Sequence, residues 1–273
     1  VEGYYDDRNG KSKLYLREEK DFSIKTLQGV KQDVIDSGHP DMEVHYTEWG
    51  PSYSSRDPVH DAYLAAPYVL YHLKRLDGYL DSISYWTFTD IFEEICPPPT
   101  PFHGGFGLIN TQGLKKPVYH AYHLLAQLGD TELECGDSDC FACKNEAGVQ
   151  LLLWNYTHPI LSMDNPNQVY FKQEHVPQSS EAVCYELGGL TPSAEYRVKR
   201  IRVGYKSHDV YTDYLHMGSP DNLSREQVRE LAVNNQLKAE EDGIMTASDE
   251  GCLQIAFDLR ENDVVFVSVE KAS

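Results

Sequence analysis

Apolar positions in the first half of the chain alternate between two periods. Residues 20–36 (KDFSIKTLQGVKQDVID) carry Phe22, Ile24, Leu27, Val30, Val34 and Ile35 at helical spacing, with Gly38 placed to stop the helix. Residues 42–49 (MEVHYTEW) form a short β-type run ended by Gly50-Pro51. A second helical stretch covers 60–76, with Ala62, Ala65, Ala66, Val69, Leu70, Leu73 and Leu76 on one side. Residues 81–88 (DSISYWTF) read as a second strand. A Pro- and Gly-rich loop follows, and then a helix over 118–128 with Pro117 at its start.

Helix, strand, helix, strand, loop, helix is the rhythm of a parallel α/β unit. Two parallel strands neither close a barrel nor cover each other on both faces. The stretch has about 130 residues, roughly half of what a (β/α)8 barrel uses, and it opens on a loop and a helix. The expectation is therefore the C-terminal portion of a (β/α)8 (TIM) barrel over 1–130, with further strands upstream of Val1. From 131 onward the pattern changes to short β runs: 149–156, 168–171, 182–187, 196–203, 252–259 and 264–269. One helix interrupts them at 224–237, where Ser224 and Gln227 make a capping box. Residues 131–273 thus read as an accessory β-sandwich, and the fold class as α/β plus all-β.

Composition narrows the function. The 273 residues hold 24 Lys+Arg against 43 Asp+Glu, a net charge of −19, the wrong sign for a nucleic-acid partner. The apolar fraction of 41 % supports packed cores. No apolar run approaches the ~18–20 residues of a membrane span. Acidity is uneven, with 12 basic and 19 acidic residues in 1–130 against 12 and 24 in 131–273, which fits a solvated face on the sandwich. Cys135, Cys140 and Cys143 form a C-x4-C-x2-C cluster, but no fourth ligand stands at a typical zinc spacing. The six cysteines are expected as structural or free thiols. The beginning of the chain carries no Met and no leader pattern, so secretion, periplasm and cytoplasm stay open, as does oligomeric state.

Candidate chemistry sits where a barrel would place it, at the C-terminal ends of the strands and on the loops after them. Glu48 ends the first strand before the Gly-Pro turn. The second strand ends Tyr85-Trp86, with Glu93 and Glu94 close behind. An indole that stacks on a sugar ring beside carboxylates that accept from hydroxyls is a carbohydrate-site combination. Phe102 and His103 begin the glycine-rich FHGGFG loop, which is no phosphate loop because it lacks the strand-to-helix turn and the Lys. His120 and His123 share a helix face, a pattern that packing explains as readily as a metal. His45 alternates with Tyr46 on a strand. No metal or cofactor is expected.

The stretches TEWGPSYS (47–54), DPVHDAYLAA (57–66), DSISYWTFTDIFEE (81–94) and FHGGFGLI (102–109) together resemble glycoside hydrolase family 39, the β-xylosidase and α-L-iduronidase family, most closely its bacterial β-xylosidase branch. GSPDNLSREQVREL (218–231) resembles that family's C-terminal β-domain. The resemblance implies a retaining mechanism with a glycoside or xylo-oligosaccharide as substrate. Glu48 matches the nucleophile at the end of the seventh barrel strand, and Tyr53 a tyrosine beside it. Trp86, Glu93 and Glu94 match residues that hold the sugar in the −1 subsite, with Phe102 and His103 as further lining. The family has Phe or Tyr followed by Asn where this chain has Trp49-Gly50. Its acid/base is a Glu in an Asn-Glu-Pro motif on the fourth strand. That motif does not occur here, since Asn145-Glu146 is followed by Ala147. The 273 residues alone are therefore expected to be inactive. The competing reading is a carbohydrate-binding or purely structural sandwich module. Within that sandwich, Leu190-Thr191-Pro192 and Tyr196 resemble a fibronectin type III strand corner, which concerns stability rather than ligands.

Overall fold

The computed structural model describes residues 3–6, 13–91, 95–162 and 164–272. The elements run β1 (Gly3–Asp6), β2 (Lys13–Leu16), α1 (Phe22–Asp36), β3 (His45–Trp49), α2 (Ala65–Leu76), β4 (Ser82–Tyr85), α3 (Pro117–Leu125), β5 (Thr131–Glu132), β6 (Cys140–Lys144), β7 (Gly148–Trp154), α4 (Asn167–Tyr170), β8 (Ser180–Leu187), β9 (Glu195–Val203), α5 (Val210–His216), α6 (Arg225–Asn234), β10 (Glu241–Thr246), β11 (Leu253–Arg260) and β12 (Val264–Lys271). Among the described residues no helix is long and apolar enough to cross a membrane.

The architecture is a mixed α/β fold, with no closed barrel among the described residues. β3 and β4 pair in parallel. α2 is buried along most of its length, because small and apolar side chains occupy nearly every turn. Lys74 and Arg75 in its last turn complement the helix dipole and bond Glu132 at 2.8 Å and Asp139 at 2.9 Å beside the second sheet. α3 starts on Pro117 as expected. The 60–76 helix is shorter than its apolar pattern. Pro58–His60 forms a 3-10 turn capped by the Asp57 side chain, and the α-helix begins only at Ala65.

A six-stranded sheet, β10-β9-β12-β7-β6-β5, lies over the antiparallel pair β8–β11. β12 runs through the middle and divides two cores. Val264 and Phe266 face the helices with Leu152, Trp154 and Val203. Val265, Val267 and Val269 face β11 with Leu151, Leu153, Ile255 and Phe257. The first core is continuous with α2 and α3, where Val69, Leu70, Val118 and Leu124 are fully buried. The strand corner forms as its sequence suggests, with the Tyr196 hydroxyl accepting from the Thr191 N–H at 2.9 Å. The capping box of α6 is present at Ser224 and Gln227.

Three expectations need correction. Residues 168–171 are not a strand: Asn167–Tyr170 is a single helical turn. Its β-favouring composition is overridden by tertiary bonds, because the buried Asn167 side chain donates to Asp57 at 2.7 Å and accepts from the Leu16 N–H at 3.0 Å. The chain opens on the hairpin β1–β2 rather than on a loop and a helix. β5, β6, β10 and α5 are additional elements. β10 (EDGIMT) is an exposed edge strand with no apolar alternation to announce it, and it is tied to β9 by Arg197 and Asp242.

Candidate active site

The C-terminal ends of β3 and β4 are joined by the Trp86 N–H donating to the Trp49 carbonyl at 2.9 Å. β3 alternates until a register irregularity between Tyr46 and Trp49. His45, Thr47 and Glu48 are exposed there, whereas Trp49 turns inward. Its indole stacks on Tyr68 at 5.7 Å and meets Tyr85 edge-on at 6.3 Å. The departure from the family pattern at position 49 therefore falls in the layer between strand and helix. Glu48 stands at the open strand end. Tyr53, on the turn that follows, is 50 % exposed. His45 bonds Ser82 at 2.8 Å and Glu43 at 3.0 Å on the same open side.

Trp86 is half-buried at the end of β4, and its peptide bond to Thr87 is cis. Beyond it, the Thr87 N–H donates to the Phe106 carbonyl and the Leu108 N–H to the Thr87 carbonyl, both at 3.0 Å, so the glycine-rich loop is zipped alongside the strand end. Glu93 and Glu94 lie outside the described residues. Phe102 is buried and packs on Tyr211 and Tyr214 at 5.7 and 5.0 Å. His103 is half-buried and its Nδ1 lies 3.2 Å from the Thr100 carbonyl. Burial lowers its pKa against the pull of Asp61 and Asp90, which keeps the ring neutral at pH 7. A cleft of about 380 Å3 reaches both residues and includes Arg56, Gln168 and Lys172.

What holds this rim is a buried polar network. Lys116 is fully buried and its Nζ bonds Asp61 at 2.7 Å, Asp90 at 2.8 Å and the Gly105 carbonyl at 2.8 Å. Asp61 accepts from the Gly104 N–H at 2.7 Å and Asp90 from the Gly107 N–H at 2.6 Å. His60 reaches the Gly104 and Ser52 carbonyls at 2.9 and 3.0 Å. Burial opposes the ammonium charge, but the two carboxylates outweigh it and raise the Lys116 pKa. The loop must also be glycine here. Gly104 has φ +78°, and a Cβ on it would lie 2.4 Å from the Asp57 backbone. Sequence reasoning quoted Asp57, His60 and Asp61 as a motif and gave them no task. The available signal was an Asp-Pro helix start with a second Asp one turn on, at Asp57 and Asp61.

His120 and His123 do not converge. His120 is buried against Asn235 Oδ1 at 3.1 Å, and burial drives its pKa down to about 3. His123 stacks on Tyr119.

Comparison with known proteins adds kinship. The family described as glycosyl hydrolases family 39 matches residues 2–251. A β-xylosidase of Caldicellulosiruptor saccharolyticus is 38% identical over 213 residues, covering 76% of this chain and 40% of that protein. A β-xylosidase of Geobacillus stearothermophilus is 29% identical over 255 residues, 91% of this chain and 45% of the relative. The crystal structure of a monomeric β-xylosidase from Caulobacter crescentus CB15 superposes with a TM-score of 0.92 at 32% identity, over 100% of this chain and 54% of the other. The chain thus spans about half the length of the relatives it matches.

Proposed function

The chain belongs to glycosyl hydrolases family 39, and from that premise we propose that it is the C-terminal portion of a (β/α)8 barrel with its β-sandwich, from a retaining exo-β-xylosidase. Glu48 is the nucleophile. Tyr53 flanks it, and Trp86, Glu93, Glu94, Phe102 and His103 hold or line the sugar. The observation that carries the reading is an exposed carboxylate at the end of a parallel strand, zipped to a half-buried Trp at the end of its neighbour. β-xylosidase relatives support the sugar.

A retaining glycosidase needs two carboxyl groups about 5–5.5 Å apart. The nucleophile attacks the anomeric carbon while the acid protonates the departing oxygen. Water then hydrolyses the glycosyl-enzyme with the acid acting as base. The acid/base is a carboxyl of the parent protein outside these 273 residues, so the 273 residues alone are silent. The buried Lys116 network sets the loop against the strand end, which pre-organises the rim before substrate arrives.

The test is turnover of an aryl β-xyloside by the parent protein, by its Glu48→Ala variant and by the 273 residues alone. The parent turns over, the variant loses on the order of 10^5-fold in kcat, and azide restores turnover with an α-glycosyl azide as product. Full activity in Glu48→Ala removes the nucleophile assignment. Turnover by the 273 residues removes the inactivity claim. An intact parent silent on every pentoside and uronide removes the substrate class.

A further inference from the structure

The edge hairpin of the six-stranded sheet carries a second, unrelated chemistry. β5 and β6 pair with Glu132 opposite Cys143, and the Leu133 N–H donates to the Ala142 carbonyl at 2.8 Å, which extends that register. Two residues further along, the register brings Cys135 opposite Cys140. Both thiols lie on the face shared with Leu133 and Ala142, packed in the second core, and both border one cleft at this edge of the sheet. Cys143 is on the opposite phase of β6.

The turn between the two cysteines is held from three sides. Tyr185 donates to Asp137, Asp137 accepts from the Asp139 N–H at 2.8 Å, and Arg75 bonds Asp139 at 2.9 Å. The pair is therefore pre-positioned rather than brought together by chance fluctuation. Their access differs. Cys140 is buried, and that burial pushes its thiol pKa up. Cys135 is half-exposed and lines an open cleft of about 330 Å3 with Asp137, Cys184 and Tyr185. An accessible thiol beside a buried one is the arrangement of an attacking and a resolving cysteine.

We propose that Cys135 and Cys140 are a modification site that closes to an intramolecular disulfide by exchange with a low-molecular-weight disulfide such as oxidised glutathione. The Cys135 thiol gives up its proton to solvent, and its sulfur attacks one sulfur of the oxidised glutathione. That bond breaks and one glutathione leaves as thiolate. Cys140 then loses its proton and attacks the Cys135 sulfur, which expels the second glutathione. Two protein thiols are oxidised and one glutathione disulfide is reduced to two thiols, so electrons and atoms balance. The product staples the hairpin beside Glu132 and Asp139, the residues through which Lys74 and Arg75 tie α2 to the sheet.

The chain is equilibrated in glutathione buffers from reducing to oxidising, remaining thiols are alkylated under denaturing conditions, and the bonds are mapped on peptides. All six cysteines alkylate at the reducing end. At the oxidising end a bond maps between Cys135 and Cys140, and glutathione on exposed thiols such as Cys96 and Cys184 is read apart from it as mixed disulfide. Cys140→Ser traps glutathione on Cys135, whereas Cys135→Ser leaves Cys140 unmodified. Six alkylated cysteines at the most oxidising ratio, or a bond mapped to Cys143 or Cys184, overturns the proposal.

Discussion

β12 is buried at six consecutive positions, with cores on both of its faces. β3 exposes His45, Thr47 and Glu48 and buries only Trp49. Both strands have helices packed nearby, so their difference lies in the second face. Where a second layer exists, alternation disappears and every side chain is apolar or small. Where no second layer of the described residues lies over the strand, polar side chains occupy the face, with Glu48 at the strand end. Packing and polar display are thus separated within one chain: the closed side supplies the free energy of packing, and the open side presents polar groups at the strand end.

The most direct way to break this contrast is to cut equal side chains from each side. Phe266→Ala removes a buried ring from the first core and is expected to cost about 3–5 kcal/mol of unfolding free energy. His45→Ala removes an exposed ring whose bonds to Ser82 and Glu43 water can replace, for a change within about 0.5 kcal/mol. Denaturant titration of both variants decides it. Comparable losses would mean that the β3 face is as constrained as the β12 face.

Lys116 sharpens the contrast, because the closed side also holds charge. One ammonium satisfies two buried carboxylates and the loop carbonyl of Gly105. Lys116→Met leaves Asp61 and Asp90 facing each other without a cation, at a cost of about 3–5 kcal/mol. Replacing all three by apolar residues should recover much of that. Chemical denaturation measures the loss, and recovery by the triple variant separates charge imbalance from lost packing volume. A single variant as stable as the wild type would show that the network is incidental to the rim.

Legibility in the sequence followed the same division. α2, β7, β9, β11 and β12 announce themselves because an apolar period maps directly onto a buried face. β10 is exposed on nearly every residue, so no period exists to be read. The turn at Asn167–Tyr170 depends on bonds to Leu16 and Asp57, more than a hundred residues away, and local composition misleads there. Glu48 and Trp86 were legible as strand-end residues once the β runs were placed. The task of Asp61, Asp90 and Lys116 was not, since three charged residues scattered over 61–116 give no hint that they converge with zero exposure.

Asp209 offers the smallest and most specific test of charge on the closed side. It caps α5, accepting from the Thr212 N–H at 3.2 Å, and it is 2 % exposed. Burial raises its carboxyl from the usual 3.8 to about 6, only partly offset by the Thr212 bonds. The sign follows from proton binding: between about pH 4 and 6 the native state keeps a proton that the unfolded chain has released. Native stability from this group is therefore full below pH 3.8, falls as pH rises through that window, and is flat above it. The span corresponds to about 3 kcal/mol. Asn caps a helix about as well as Asp and cannot ionise. Asp209→Asn is thus expected to exceed the wild type at pH 7, by up to about 3 kcal/mol, and to match it near pH 4. Unfolding free energies measured across pH 4–7 give the difference directly. A difference that does not change with pH would mean that Asp209 stays ionised despite its burial, and that the closed side tolerates a carboxylate without the cation that Asp61 and Asp90 share.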